Sequence, residues 1–189
     1  MNKMTVAVLS LLSVAMFFGI ANAGAVPDGF AEVPWGASRA QVEKTMNENG
    51  YQQITSTQPG QLKFKGAFAG ERCILTFRFI AGSFYDGTAT FDMDTHPLIP
   101  QRVVKHMVNM ISEKYGQPQT RESEKDRTNV TAALTLEWAQ WKLVDSRADK
   151  YDIIVCLTKG WATNGTLQYE VYVSYSAQSL SERLKKKGL

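Results

Sequence analysis

The chain has 189 residues, 44% of them hydrophobic and 11% aromatic, with a formal net charge of +3. That length lets one domain bury a real core. A charge so close to neutral gives none of the electrostatic footprint expected of a nucleic-acid-binding protein.

The opening, "MNKMTVAVLSLLSVAMFFGIANAGAVPDG", has a basic start at Lys3, an apolar run from Val6 to Ile20, and small residues at Ala21 and Ala23. This is the pattern of a secretory signal peptide over residues 1–23, cut before Gly24. The run is short of the roughly 20 residues a spanning helix needs, and no cysteine near the cut offers a lipid anchor. A periplasmic or secreted protein is expected, with no transmembrane segment in the mature chain. Residues 24–178 then form a single domain, and 179–189 a basic tail or short helix.

"VPWGASRAQVEKTM" opens the first helix of that domain. Ser38 and Gln41 have capping-box spacing, each able to satisfy a backbone donor of the first turn. Val42, Thr45, Met46 and Asn49 share one narrow face, and Gly50 supplies the left-handed position that ends the helix. Trp35 reads as a wedge at the start of this helix, with Gly36 letting the backbone turn close to the ring; stacking on a ligand is the alternative role for Trp35.

Strand patterns follow. "YQQITST" is weak and polar, stopped by Pro59-Gly60. "QLKFKGAF" alternates at Leu62 and Phe64, with Gly66 and Phe68 as its continuation, and "ERCILTFRFI" at Cys73, Leu75, Phe77 and Phe79. Ala81-Gly82 can reverse the chain into "SFYDGTATFDM", with a bulge or bend expected at Asp86-Gly87. A second helix is expected in "LIPQRVVKHMVNMISEKYGQP", with Pro100 in its first turn. Its broad stripe is Val103, Val104, Met107, Met110 and Ile111, and Gly116 and Pro118 end it. "QTRESEKDRTN" reads as a solvated loop or an edge strand. The last third returns to strands. Leu134, Leu136 and Trp138 alternate until Trp141 breaks the parity, the sign of a bulge. "KYDIIVCLTK" alternates at Tyr151, Ile153, Val155 and Leu157. Asn164-Gly165 signals a reversal into "TLQYEVYVSYS". The expected fold is α+β: two helix-plus-antiparallel-meander units packed as one two-layer domain.

Cys73 and Cys156 both sit in apolar strand patterns. In an oxidising compartment they are expected to pair, closing a long loop worth about 4 kcal/mol in the chain-entropy model. Two separate buried thiols are the alternative.

"VPWGASRAQVEKTMNENGY", "ISEKYGQP", "EWAQWKL" and "DIIVCL" together resemble a broad group of small exported bacterial proteins. These have a Trp-Gly-x-Ser motif opening a helix, and many have no assigned function. More distantly, the helix-plus-meander layout resembles the outer-membrane assembly lipoprotein and the β-lactamase inhibitor protein. The second resemblance implies an interaction role for a sheet face.

Few residues suggest chemistry. Asp92, Asp94 and His96 in "FDMDTH" would project to one side of an extended strand and could ligate a divalent metal, the basis of an alternative reading as a small secreted metal-dependent hydrolase. No cofactor fingerprint is present, and no cofactor is expected. Tyr169, Tyr172 and Tyr175 make the last strand rich in a residue common at interfaces. The expected function is a non-catalytic interaction or binding module using a sheet face or groove. Its expected partner is another exported or envelope protein. Nucleic acid is not expected, and the basic tail could touch anionic lipid weakly.

Overall fold

A computed structural model describes residues 25–91, 93, 99–123, 134–161 and 167–187. The leader, Asp92, Asp94, His96 and the Asn164-Gly165 reversal lie outside the described residues. A miniature hairpin comes first, β1 (Gly29–Phe30) and β2 (Val33–Pro34), followed by α1 (Arg39–Glu48). Four strands come next: β3 (Gln52–Ile54), β4 (Gln61–Phe68), β5 (Glu71–Ile80) and β6 (Ser83–Phe91). After α2 (Ile99–Tyr115) come β7 (Thr120–Ser123), β8 (Leu134–Val144), β9 (Lys150–Trp161) and β10 (Leu167–Ala177), and α3 (Gln178–Lys187) follows.

The result is a mixed α+β domain with helices on antiparallel sheets. The eight-stranded sheet is open, in the order β3-β4-β5-β6-β10-β9-β8-β7. Its two central strands, β6 and β10, pair from Phe91↔Val171 to Asp86↔Ser176. Turn chemistry explains the register of the first half. Ala69-Gly70 and Ala81-Gly82 both have positive φ at each position, the backbone that joins two twisted strands with two residues.

Alternation assigns the two faces of the sheet. Leu62, Phe64, Leu75, Phe77, Ala89, Val171, Val173, Ile153 and Val155 are buried on one face, where they form a single core with α1 and α2. The first helix contributes Val42 and Met46, and its capping box is formed: the Gln41 N–H donates to Ser38 Oγ and the Ser38 N–H to Gln41 Oε1. The broader stripe of α2 contributes Val103, Val104, Met107, Val108 and Ile111. Two glycines set the distance between layers. A Cβ on Gly66 would lie 2.0 Å from the ring of Tyr51, and one on Gly87 would lie 2.2 Å from the ring of Phe30. Each ring fills the space a side chain would take.

Two bulges correct the expected parity. The first leaves Tyr85 unpaired, between Phe79↔Phe84 and Arg78↔Asp86, just before the Asp86-Gly87 position expected. It lets both Phe84 and Gly87 face the core. The second falls between Thr135 and Glu137, upstream of the break expected at Trp141. Trp138 is therefore level with Cys156, not in the core row, whereas Trp141 is 1% exposed and its indole N–H donates to Gly116 O at 2.8 Å.

The expected disulfide does not form. Cys73 is level with Phe91, Val171 and Leu157, whereas Cys156 is level with Tyr172, Thr90 and Ile74. The two cysteines lie in adjacent rows, so they point to opposite faces, and two strands separate them. Three interstrand steps of about 4.8 Å put them about 14 Å apart, against the roughly 4.4–6.8 Å between Cα atoms that a disulfide spans. Both are buried thiols. Burial pushes the Cys73 thiol up to about 12.

The second face carries Arg78, Asp86, Thr76, Thr88, Ser174, Ser176 and Asp152. Arg78 Nη1 donates to Asp86 Oδ1 and to Thr88 Oγ1, and Thr88 Oγ1 donates to Ser174 Oγ. Burial pushes the Asp86 carboxyl above its ordinary range, against the opposing pull of Arg78. The expected two layers gain a third element here. Helix α3 packs against β5, β6 and β9, with Gln178 Nε2 donating to Asp152 Oδ2 and Ser176 Oγ. Arg183 pairs with Asp149, which fastens the helix to the β8–β9 turn. At the far edge the Gln119 side-chain amide extends the ladder. It donates to Lys142 O at 2.6 Å and accepts from Lys142 N at 2.7 Å, as a strand residue would.

Candidate binding cleft

The β1–β2 hairpin is the unusual local element. Its two turn residues, Ala31 and Glu32, have φ of 47° and 65°. Asn-Gly is the ordinary occupant of such a turn, and each side chain held there costs about 1 kcal/mol or more. Several contacts hold it. Gly29 passes so close to β2 that a Cβ would lie 2.0 Å from Val33 O. The Trp35 N–H donates to Asp28 O, and the Trp35 indole donates to Pro27 O at 2.8 Å. Asn49 Nδ2, at the end of α1, donates to Glu32 Oε2 at 2.8 Å. Phe30 is driven into the sheet above Gly87, where it is 2% exposed.

Trp35 and Gly36 lie just before α1. The indole lies against Phe84, centroids 5.0 Å apart. Gly36, at φ 83°, donates to Phe84 O at 2.8 Å.

Between this hairpin and the last turns of α2 the core face opens into a cleft of about 440 Å³. Its floor is aromatic. Phe30 stacks on Phe68 at 5.4 Å and meets Tyr175 at 5.6 Å, and Phe68 meets Tyr175 edge-on at 6.3 Å. One wall is the hairpin from Asp28 to Pro34. The other is a single side of α2: Met110, Ile111, Lys114 and Tyr115 recur at helical spacing. The charges are divided between the walls, with Asp28 and Glu32 on the hairpin and Lys114 on the helix. All three are exposed. Lys114 Nζ lies 5.2 Å from the centre of the Tyr115 ring. Burial pushes the Tyr175 phenol well above its ordinary value, and a charge on Tyr115 would push it the same way. Tyr175 therefore stays a neutral hydroxyl across the physiological range.

The three tyrosines singled out in the last strand do not form one patch. Tyr169 and Tyr175 pack with the core, and Tyr175 lines the cleft. Tyr172 is on the second face, level with Cys156, which it meets through a side-chain hydrogen bond; burial is the larger cause of its raised pKa. His106 lies on the outside of α2, its Nε2 3.3 Å from Ala69 O. Among the described residues no group of three or more His, Cys, Asp or Glu side chains could hold a metal ion, and Asp92, Asp94 and His96 lie outside them.

The sequence pattern gave Phe68 only a place in its strand, and it gave Phe30, Lys114 and Tyr115 no part in a site. "PDGFAEVPWG" did offer a signal, since Phe30, Val33 and Trp35 are large apolar residues crowded around a two-residue gap. The gap holds Ala-Glu, and this hid the turn.

No helix among the described residues is long and apolar enough to cross a membrane. Comparison with known proteins returns no matching family model, no matching curated protein and no matching solved structure, so the geometry of the cleft carries the functional reading.

Proposed function

We propose that this is an exported, non-catalytic binding module and that the cleft between the β1–β2 hairpin and α2 is its ligand site. One observation carries the reading: Phe68, half-buried over the buried rings of Phe30 and Tyr175, floors a cleft between two walls of opposite charge. Its volume, about 440 Å³, falls within the roughly 300–1,000 Å³ typical of small-molecule sites. Strain at Ala31 and Glu32 supports the same reading, because left-handed side chains persist where the surroundings hold a useful shape. The leader pattern at Lys3–Ala23 supports export. The fold is read further as two α-β-β-β-β units, α1 with β3–β6 and α2 with β7–β10, joined where their last strands meet at the sheet centre. On that reading the cleft lies at the junction of the units, since β10 and α2 come from one and β4 from the other.

The test is a titration of ¹⁵N-labelled protein with N-acetyl-L-phenylalaninamide, a neutral aromatic probe. Amide shifts concentrated at residues 28–34, Phe68 and 110–115 are expected, and replacing Met110 by Trp to fill the space should abolish them. Shifts confined to other surfaces, or unchanged binding to a folded Met110→Trp variant, would remove the cleft as the site.

A further inference from the structure

Resting on that reading of the cleft, we infer the class of its ligand: a zwitterion with an aromatic or long apolar body, of dipeptide size. Its ammonium group lies toward Asp28 and Glu32 and its carboxylate toward Lys114.

The argument starts from what each simpler ligand would leave unmet. A purely anionic ligand gains Lys114 but faces two carboxylates on the hairpin wall. A purely cationic one gains those carboxylates and the ring faces, but brings its charge against Lys114. A neutral apolar ligand covers the floor and gains nothing from either wall. A free inorganic ion leaves the half-buried Phe68 ring and the apolar side of Met110 uncovered. Only a ligand with both charges at opposite ends of an apolar body satisfies floor and walls together.

Local structure prepares both ends. Asn49 holds one oxygen of Glu32, Oε2, which fixes the carboxylate on the lip and leaves Oε1 to accept from a ligand. The Tyr115 ring holds the Lys114 ammonium by its quadrupole beside the cleft. The floor takes a ring by offset or edge contact, as Phe30, Phe68 and Tyr175 already take one another. Both charged walls are exposed, so each ion pair discriminates modestly and the apolar body supplies most of the affinity.

The experiment compares four probes on the ¹⁵N-labelled protein: L-leucyl-L-phenylalanine, its N-acetyl form, its C-terminal amide and the doubly blocked form. The free dipeptide should bind tightest, with shifts at the cleft. Blocking either end should weaken binding by up to about fivefold, the range of exposed ion pairs. Lys114→Gln should erase the penalty for amidation and leave that for acetylation. The pair Asp28→Asn and Glu32→Gln should do the reverse. Equal affinity for the free and doubly blocked forms, with shifts still at the cleft, would overturn the zwitterion and leave the cleft standing. Tightest binding by either singly blocked form would also overturn it, pointing to a ligand of one charge. No cleft shifts with any of the four would remove the site itself.

Discussion

Replacing Gly87 by Ala tests the seat of the cleft floor most directly. A Cβ there would lie 2.2 Å from Phe30 Cδ1, 2.4 Å from Cγ and 2.9 Å from Cβ, so the ring as a whole must move. Phe30 is 2% exposed and packs against Phe68, Phe77 and Tyr175, which leaves it little room to yield. Overpacking of this kind costs about 1–3 kcal/mol, a shift of roughly 2–4 °C in Tm per kcal/mol for a domain of this size. Phe30→Ala alone should cost about 3–5 kcal/mol by cavity formation. With the ring gone, the same Gly87→Ala change should become neutral or stabilising by about 0.5 kcal/mol, because alanine restricts the unfolded chain. The assay is equilibrium urea unfolding of the wild type, both single variants and the double variant, compared at constant m. Coupling of about 1 kcal/mol or more is expected. Additivity within about 0.5 kcal/mol would refute the idea that Phe30 is seated by the missing Cβ.

Other outcomes follow from the same geometry. Ser38→Ala, which breaks the capping box, should lower stability by about 1 kcal/mol in the same unfolding assay. Ser112 Oγ is buried with no hydrogen-bond partner among the described residues, so Ser112→Ala should raise stability by about 1 kcal/mol. Thiol titration should find Cys73 and Cys156 unreactive in the folded protein and both reactive in denaturant, with Tm unchanged by reductant; loss of a two-electron cross-link on reduction would contradict the strand order. The hydrogen bond from Arg183 holds the Asp149 carboxyl below its ordinary value. Its contribution to docking α3 is therefore complete above the ordinary aspartate range near 4 and is lost as pH falls through the depressed value. Amide exchange in α3 should accelerate in that acid window, and Asp149→Asn should remove the pH dependence.

Local signals in the sequence carried local structure. The Ser38–Gln41 spacing, the stripe of α2 and the Gly50 and Gly116 stops each involve residues a few positions apart, and each appears where the pattern put it. The pairing of Cys73 with Cys156 failed for a non-local reason. Nothing in the sequence near either cysteine states that β6 and β10 lie between β5 and β9, nor that the two rows face opposite ways. The bulge that the parity break at Trp141 signals falls further upstream, at Leu136, where no residue type marks it, and it puts Trp141 in the core row. The cleft stayed hidden because three distant segments form it, and because its lip uses Ala31-Glu32 in a turn that usually declares itself with Asn-Gly.

The central β6–β10 seam also governs the order in which this chain can finish folding. β6 ends at Phe91, yet its partner does not begin until Leu167. As the polypeptide emerges from a ribosome or a translocation pore, the first four-stranded half must wait with one long edge open. It offers unmet amides and carbonyls to any neighbouring extended chain. A nascent product halted anywhere before Leu167 leaves that edge uncapped, so chaperone dependence should concentrate in the interval before the tenth strand arrives.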